Sequence, residues 1–169
     1  MRPLPLFLAS VLLAVAAFAP AGALPAAPLK ADRIVVEKSR HRLTLFAGDR
    51  VLRRYRVALG AGGPAPKRRQ GDARVPEGRY LIDWRNPNSA YHLSLHVSYP
   101  DAADVAAAAA RGEKPGGDIM IHGLPDGFGV VGALHRQLDW TAGCIAVTDR
   151  EIEEIWQAVP DGTPIAIRP

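Results

Sequence analysis

Alternation of apolar and polar positions breaks most of the chain into strand-sized pieces. Arg33–Glu37 (RIVVE) and Arg42–Phe46 (RLTLF) are two such runs. Ala47-Gly48-Asp49 reads as a turn, after which Val51, Tyr55 and Val57 keep even spacing through a third strand, Val51 to Leu59. Arg79–Trp84, the strictly alternating Leu93–Tyr99, a buried strand at Asp118–His122 and the closing Thr163–Arg168 add four more. Two segments carry helical signals instead. Ala102–Arg111 is Ala-rich, opens on Asp101 and is broken by Gly112–Gly117. Further on, Thr148 stands three residues before Glu151, the spacing of a capping box. Ile152, Ile155, Trp156 and Val159 then line one face at i, i+3, i+4 and i+7, and Pro160-Asp161-Gly162 ends the run. The pattern predicts one mainly β domain, residues 32–169, with two short helices.

Residues 1–23 follow a different rule. A single charge, Arg2, precedes an apolar run from Leu6 to Phe18 and the small residues Ala21-Gly22-Ala23. That is the layout of a secretory signal peptide, and the run is shorter than the ~20 residues that span a bilayer. Residues 24–31 (LPAAPLKA) read as a linker. The expectation is therefore a periplasmic protein with no stable membrane insertion once the signal is removed. The whole chain has 169 residues, is 48% hydrophobic and carries a net charge of +4, which suits one folded domain with mild attraction to anions. Charge of that size gives no reason to expect a nucleic-acid partner.

The single cysteine, Cys144, excludes an intrachain disulfide scaffold and a Cys-built zinc site. It follows Gly143 and stands shortly before the predicted second helix. Glycine permits close approach, and successive backbone N–H groups ahead of a helix can hold an anion. Such a setting favours a thiolate and stabilises an oxyanion. A thiol is only a few per cent ionised at neutral pH, so a base is required. His122, at the end of the Ile119-Met120-Ile121 strand and before Gly123, is the first candidate. His135 is a reserve. The competing reading makes Cys144 a packed small hydrophobe and His122 a hydrogen-bonded core residue.

Ile121-His122-Gly123 followed by Trp140-Thr141-Ala142-Gly143-Cys144 resembles the signature of the YkuD-type L,D-transpeptidase catalytic domain. Val57-Ala58-Leu59-Gly60, Gly71-Asp72, Pro76-Glu77-Gly78-Arg79-Tyr80 and Ser98-Tyr99-Pro100 support the match, which runs over residues 32–168. The resemblance implies a β-rich, sandwich- or barrel-type fold with the cysteine in a groove. It also implies acyl transfer through a thioester on peptidoglycan stem peptides, a role in wall organisation and cell shape, and no cofactor or metal. Cys144 would be the nucleophile, His122 the base and the Gly123 carbonyl its orienter. The backbone N–H groups around Ala142, Gly143 and Cys144 would hold the oxyanion. Two departures stand out. Ala142 occupies the place of the family's usual histidine, and 18 residues separate His122 from Thr141, a slightly longer gap than is common. A hydrolase using the same cysteine, for example one releasing a wall-attached protein, and a non-catalytic wall-binding module are the alternatives.

Other residues are candidates for holding substrate. His92, Ser94 and His96 share one face of an alternating strand; two histidines are too few for a metal site, so His96, with Tyr99, is expected to line the groove. Lys67-Arg68-Arg69 would steer a carboxylate-rich peptide, with Lys67 and Arg69 as contacts. Thr141 would either contact substrate or cap the local backbone.

Overall fold

A computed structural model describes residues 30–169. The expected signal segment, 1–23, lies outside the described residues, as does all but the end of the expected linker. Ala31, at that end, is buried and donates its N–H to the Ala158 carbonyl at 2.7 Å, so the packed body begins there. No described helix is long and apolar enough to cross a membrane.

Eight strands form one mixed sheet in the order β3-β2-β1-β8-β4-β5-β6-β7. They are β1 (Arg33–Glu37), β2 (Arg42–Ala47), β3 (Arg50–Arg56), β4 (Gly78–Ser89), β5 (His92–Val97), β6 (Ile119–His122), β7 (Ile145–Ala146) and β8 (Pro164–Arg168). Inward positions alternate as the sequence predicts: Ile34 and Val36, Leu43 and Leu45, Ile165 and Ile167 are buried. β4 is longer than the expected Arg79–Trp84. Its first residues pair with β8, and from Ile82 onward it pairs with β5. The register shifts between Ile82 and Trp84, a bulge of the kind that bends a strand. β4 thereby joins the two halves of the sheet.

The expected third strand ends early, at Arg56. The chain beyond it crosses to the opposite edge, where Ala58 bridges Ala146 and Gly60 bridges Thr141. The chain leaving edge strand β3 is thereby stitched to the opposite edge at β7, in the manner of a barrel seam. Apolar residues at Val57 and Leu59 are buried by this crossing, which is why the sequence reads as one continuous strand.

Two α-helices complete the described body. α1 (Ala102–Ala109) opens on a reciprocal capping box between Asp101 and Asp104. α2 (Asp149–Ala158) opens on the expected box between Thr148 and Glu151, and Ile152, Ile155 and Ala158 are buried against the sheet. A 3-10 segment, Gly129–Gln137, has no counterpart among the expected elements; it buries no residue, so no apolar periodicity announces it.

Candidate active site

β6 and β7 run parallel, with Ile121 opposite Ile145 and His122 opposite Ala146. Side chains alternate along a strand, so His122 shares a face with Met120, and the turn into β7 brings Cys144 diagonally across from it. Cys144 and His122 line one cavity of about 460 Å³, together with Tyr91, Ser94, Asp118 and Trp140.

His122 is only 4% exposed. Its Nδ1 lies 2.7 Å from the Gly123 carbonyl oxygen. A carbonyl only accepts, so Nδ1 carries the proton and Nε2 keeps a free lone pair, the form a base requires. Burial pushes the imidazole's pKa below its ordinary value; the Gly123 carbonyl pulls it up and His135 pushes it further down. The ring is therefore neutral at neutral pH. It packs between aromatic neighbours, with the Tyr91 centroid at 4.6 Å and the Trp140 centroid at 5.8 Å.

Distant pieces of chain fix that pocket. Gly123 donates to the Tyr91 carbonyl at 3.1 Å. Asp126 accepts from His92 N–H at 3.2 Å, which holds the β4–β5 turn carrying Tyr91. Asp149, in the first turn of α2, accepts from Leu124 N–H at 2.8 Å. A Cβ on Gly123 would stand 2.8 Å from Asp149 Oδ1, so the histidine's neighbour has to be small.

Cys144 is half-buried on the turn that leads into β7. Its Sγ accepts from Met120 N–H at 3.4 Å and donates to the Asp118 carbonyl at 3.5 Å. Neither bond is to His122. Catalytic hydrogen bonds commonly tighten only when substrate binds. Burial raises the thiol's pKa; the Met120 N–H lowers it, Asp118 raises it and Lys67 lowers it. The net direction is upward, so the resting sulfur is a thiol.

Thr141 is buried, and its hydroxyl donates to the Cys144 carbonyl at 2.7 Å while accepting from Gly143 N–H at 3.2 Å. Thr141 N–H in turn reaches the Leu59 carbonyl across the seam. Gly143 has φ +126, and a Cβ there would meet the Arg74 carbonyl at 2.8 Å. Ala142 is exposed at the mouth of the cavity. Among the described residues no acceptor takes the N–H of Ala142 or of Cys144, which leaves two donors for a developing oxyanion.

Several expected contacts are placed elsewhere. The Thr141 hydroxyl is occupied by the turn itself, which is the capping alternative. Tyr99 is buried, and its hydroxyl donates to the Pro115 carbonyl. His96 stacks on Trp84 and pairs with Asp83 at 2.6 Å, outside the cavity lining. His92 pairs with Glu153 at 2.8 Å. Lys67 is tied to Asp72 at 2.9 Å, and Arg69 lines a separate cavity. His135 lies behind Trp140, whose indole N–H it accepts at 3.4 Å, rather than in the cavity lining. Tyr91, Asp118 and Asp149 join the site without any local signal in the sequence.

Known proteins share this architecture. The chain is 35% identical to the putative L,D-transpeptidase YafK of Escherichia coli over 108 residues, 62% of this chain and 36% of that protein. It is 26% identical to the putative L,D-transpeptidase YkuD of Bacillus licheniformis over 142 residues, 81% of this chain and 66% of that one. The crystal structure of Pgp2, a helical cell shape determining protein of Campylobacter jejuni, superposes with a TM-score of 0.61 at 24% identity, covering 80% of this chain and 46% of that one. An L,D-transpeptidase from Mycobacterium smegmatis shares the fold at a TM-score of 0.54 and 14% identity, covering 82% and 59%. The chain thus spans about a third of the YafK relative. The YkuD model, the L,D-transpeptidase catalytic domain, matches residues 31–167. On that match, covering nearly all of the described body, the chain belongs to the YkuD family of L,D-transpeptidase catalytic domains.

Proposed function

We propose that this protein is a cysteine acyltransferase acting on peptidoglycan stem peptides outside the cytoplasm. The observation that carries the reading is the neutral His122, its Nδ1 proton held by Gly123, sharing one cavity with the half-buried Cys144. In the reaction, His122 Nε2 takes the Sγ proton as sulfur attacks a peptide carbonyl carbon. The oxyanion settles against the Ala142 and Cys144 N–H groups. The imidazolium proton passes to the departing amine, and the C–N bond breaks to leave a thioester on Sγ. An amine acceptor then attacks the thioester, His122 removes its proton, and Sγ leaves.

Ala142 fits this scheme because the position contributes its N–H whatever its side chain. Family membership supports the reaction class, and the basic start and apolar run of residues 1–23 support export. The test is incubation with a purified stem tetrapeptide and an amine acceptor, read by product mass. The expected product is the tripeptide joined to the acceptor, with the terminal residue released. Hydrolysed tripeptide alone, at saturating acceptor, would replace transfer by hydrolysis. Intact tetrapeptide together with an unmodified Cys144 would leave only a binding module.

A further inference from the structure

A second cavity, of about 590 Å³, has no part in the scheme above. Arg68, Arg69, Arg74 and Arg111 line it, with Asp72 and Glu113. It adjoins the nucleophile turn, because the Arg74 carbonyl is the group that a Cβ on Gly143 would strike.

The floor of this cavity is rigid. Asp72 accepts from the N–H groups of Arg68 at 2.7 Å, Arg69 at 3.1 Å and Arg74 at 3.2 Å, and from Lys67 Nζ at 2.9 Å. Burial alone would raise its pKa, but these donors outweigh burial and hold the carboxyl at about 2. Asp72 therefore stays ionised and fully engaged beneath the arginines. Glu113 is shared between Arg111 at 2.7 Å and Arg69 at 3.8 Å. Arg111 also donates to the Arg68 carbonyl at 2.7 Å, which ties the α1 end of the cavity to its loop.

Both carboxylates thus have partners, and two guanidinium groups remain. Among the described residues Arg68 pairs with no carboxylate, and Arg74 gives only its Nε, to the Gly62 carbonyl at 3.0 Å. Guanidinium forks held on a preorganised loop match carboxylates in geometry and charge. We propose that this cavity is a carboxylate-binding subsite for the acyl-donor peptide, with Arg68 and Arg74 as its ligands. The assignment rests on the function proposed above and orients the substrate: the donor's acidic side chains lie on the Arg74 side of Cys144. It also moves the basic contact from Lys67 and Arg69, which have partners, to their neighbours.

The test uses the full chain carrying Cys144→Ala, so that binding is read without turnover. Affinity for a stem tetrapeptide with free carboxylates is compared with affinity for its carboxamide counterpart. Losing one charged hydrogen-bonding partner is expected to weaken the free-acid peptide about tenfold or more in Arg68→Ala and in Arg74→Gln. The carboxamide peptide should bind parent and variants alike. Arg68 is exposed, so Arg68→Glu is a second variant that retains the fold and should weaken the acid further. Equal affinity of parent, Arg68→Ala and Arg68→Glu for the free-acid peptide overturns the subsite alone. Failure of the parent to bind either peptide overturns the proposed function, and the subsite with it.

Discussion

His122 stands at the end of β6 with its ring wedged between Tyr91 and Trp140, whereas Cys144 stands on a turn held by backbone groups and the Thr141 hydroxyl. Burial moves their pKa values in opposite directions and leaves both groups uncharged. It disfavours imidazolium on one side and thiolate on the other, so both groups rest neutral. A resting thiolate–imidazolium pair is not what this site stores. In the proposed reaction, proton transfer from Sγ to the imidazole accompanies attack on the substrate carbonyl. In that proposed reaction the histidine side owes its role as base to its environment, and the cysteine side owes its nucleophile and two unpaired N–H groups to its conformation.

The strongest test of that contrast removes the sulfur. Cys144→Ala should abolish thioester formation, and labelling by an acylating carbapenem, while leaving the fold intact; undiminished labelling would end its role. Replacing the base should cost less. His122→Gln is expected to slow acylation by ~10²–10⁴-fold, since the backbone donors remain. Loss of less than tenfold would mean another group takes the proton.

The cysteine side should fail through its backbone. Gly143→Ala places a Cβ against the Arg74 carbonyl at a φ that side chains avoid. Strain of this kind costs about 1–3 kcal/mol, and each kcal/mol lowers the melting temperature of a domain this size by roughly 2–4 °C. A variant as stable and active as the parent would show the turn to be less constrained than described. Thr141→Val removes a buried hydroxyl that serves Cys144 and Gly143 at once, and about 1–3 kcal/mol of stability should go with it.

The histidine side should respond to pH instead. The base has to be neutral, so acylation falls as pH drops through the His122 pKa. Burial sets that midpoint below the ordinary imidazole value. Tyr91→Ser opens the ring to water, stabilises imidazolium and should move the acid limb to higher pH, with only a modest loss of rate at neutral pH. A pH profile that does not move would separate Tyr91 from the base. This is the smallest of the expected effects on rate and the most selective.

The same contrast explains what could be read from the sequence. The Gly143-Cys144 turn and the capped α2 are local: a glycine, a threonine–glutamate pair and a helical stripe lie within a few residues of one another. The surroundings of His122 are not local. Tyr91 comes from the β4–β5 turn and Asp149 from α2, so no spacing near His122 signals either. The seam was hidden for a related reason. Val57 and Leu59 alternate like a strand, and alternation does not tell which edge the chain will meet. Lys67 and Arg69 were legible as charge, but only the folded loop shows that their charges have partners and that those of Arg68 and Arg74 do not.

Intact-protein mass during reaction with a stem tetrapeptide reads acylation of Cys144 itself. A tripeptidyl adduct on Cys144 is expected as the terminal residue is released, slowed in His122→Gln and absent in Cys144→Ala. Turnover of the tetrapeptide by Cys144→Ala at the parent's rate would contradict a nucleophilic Cys144.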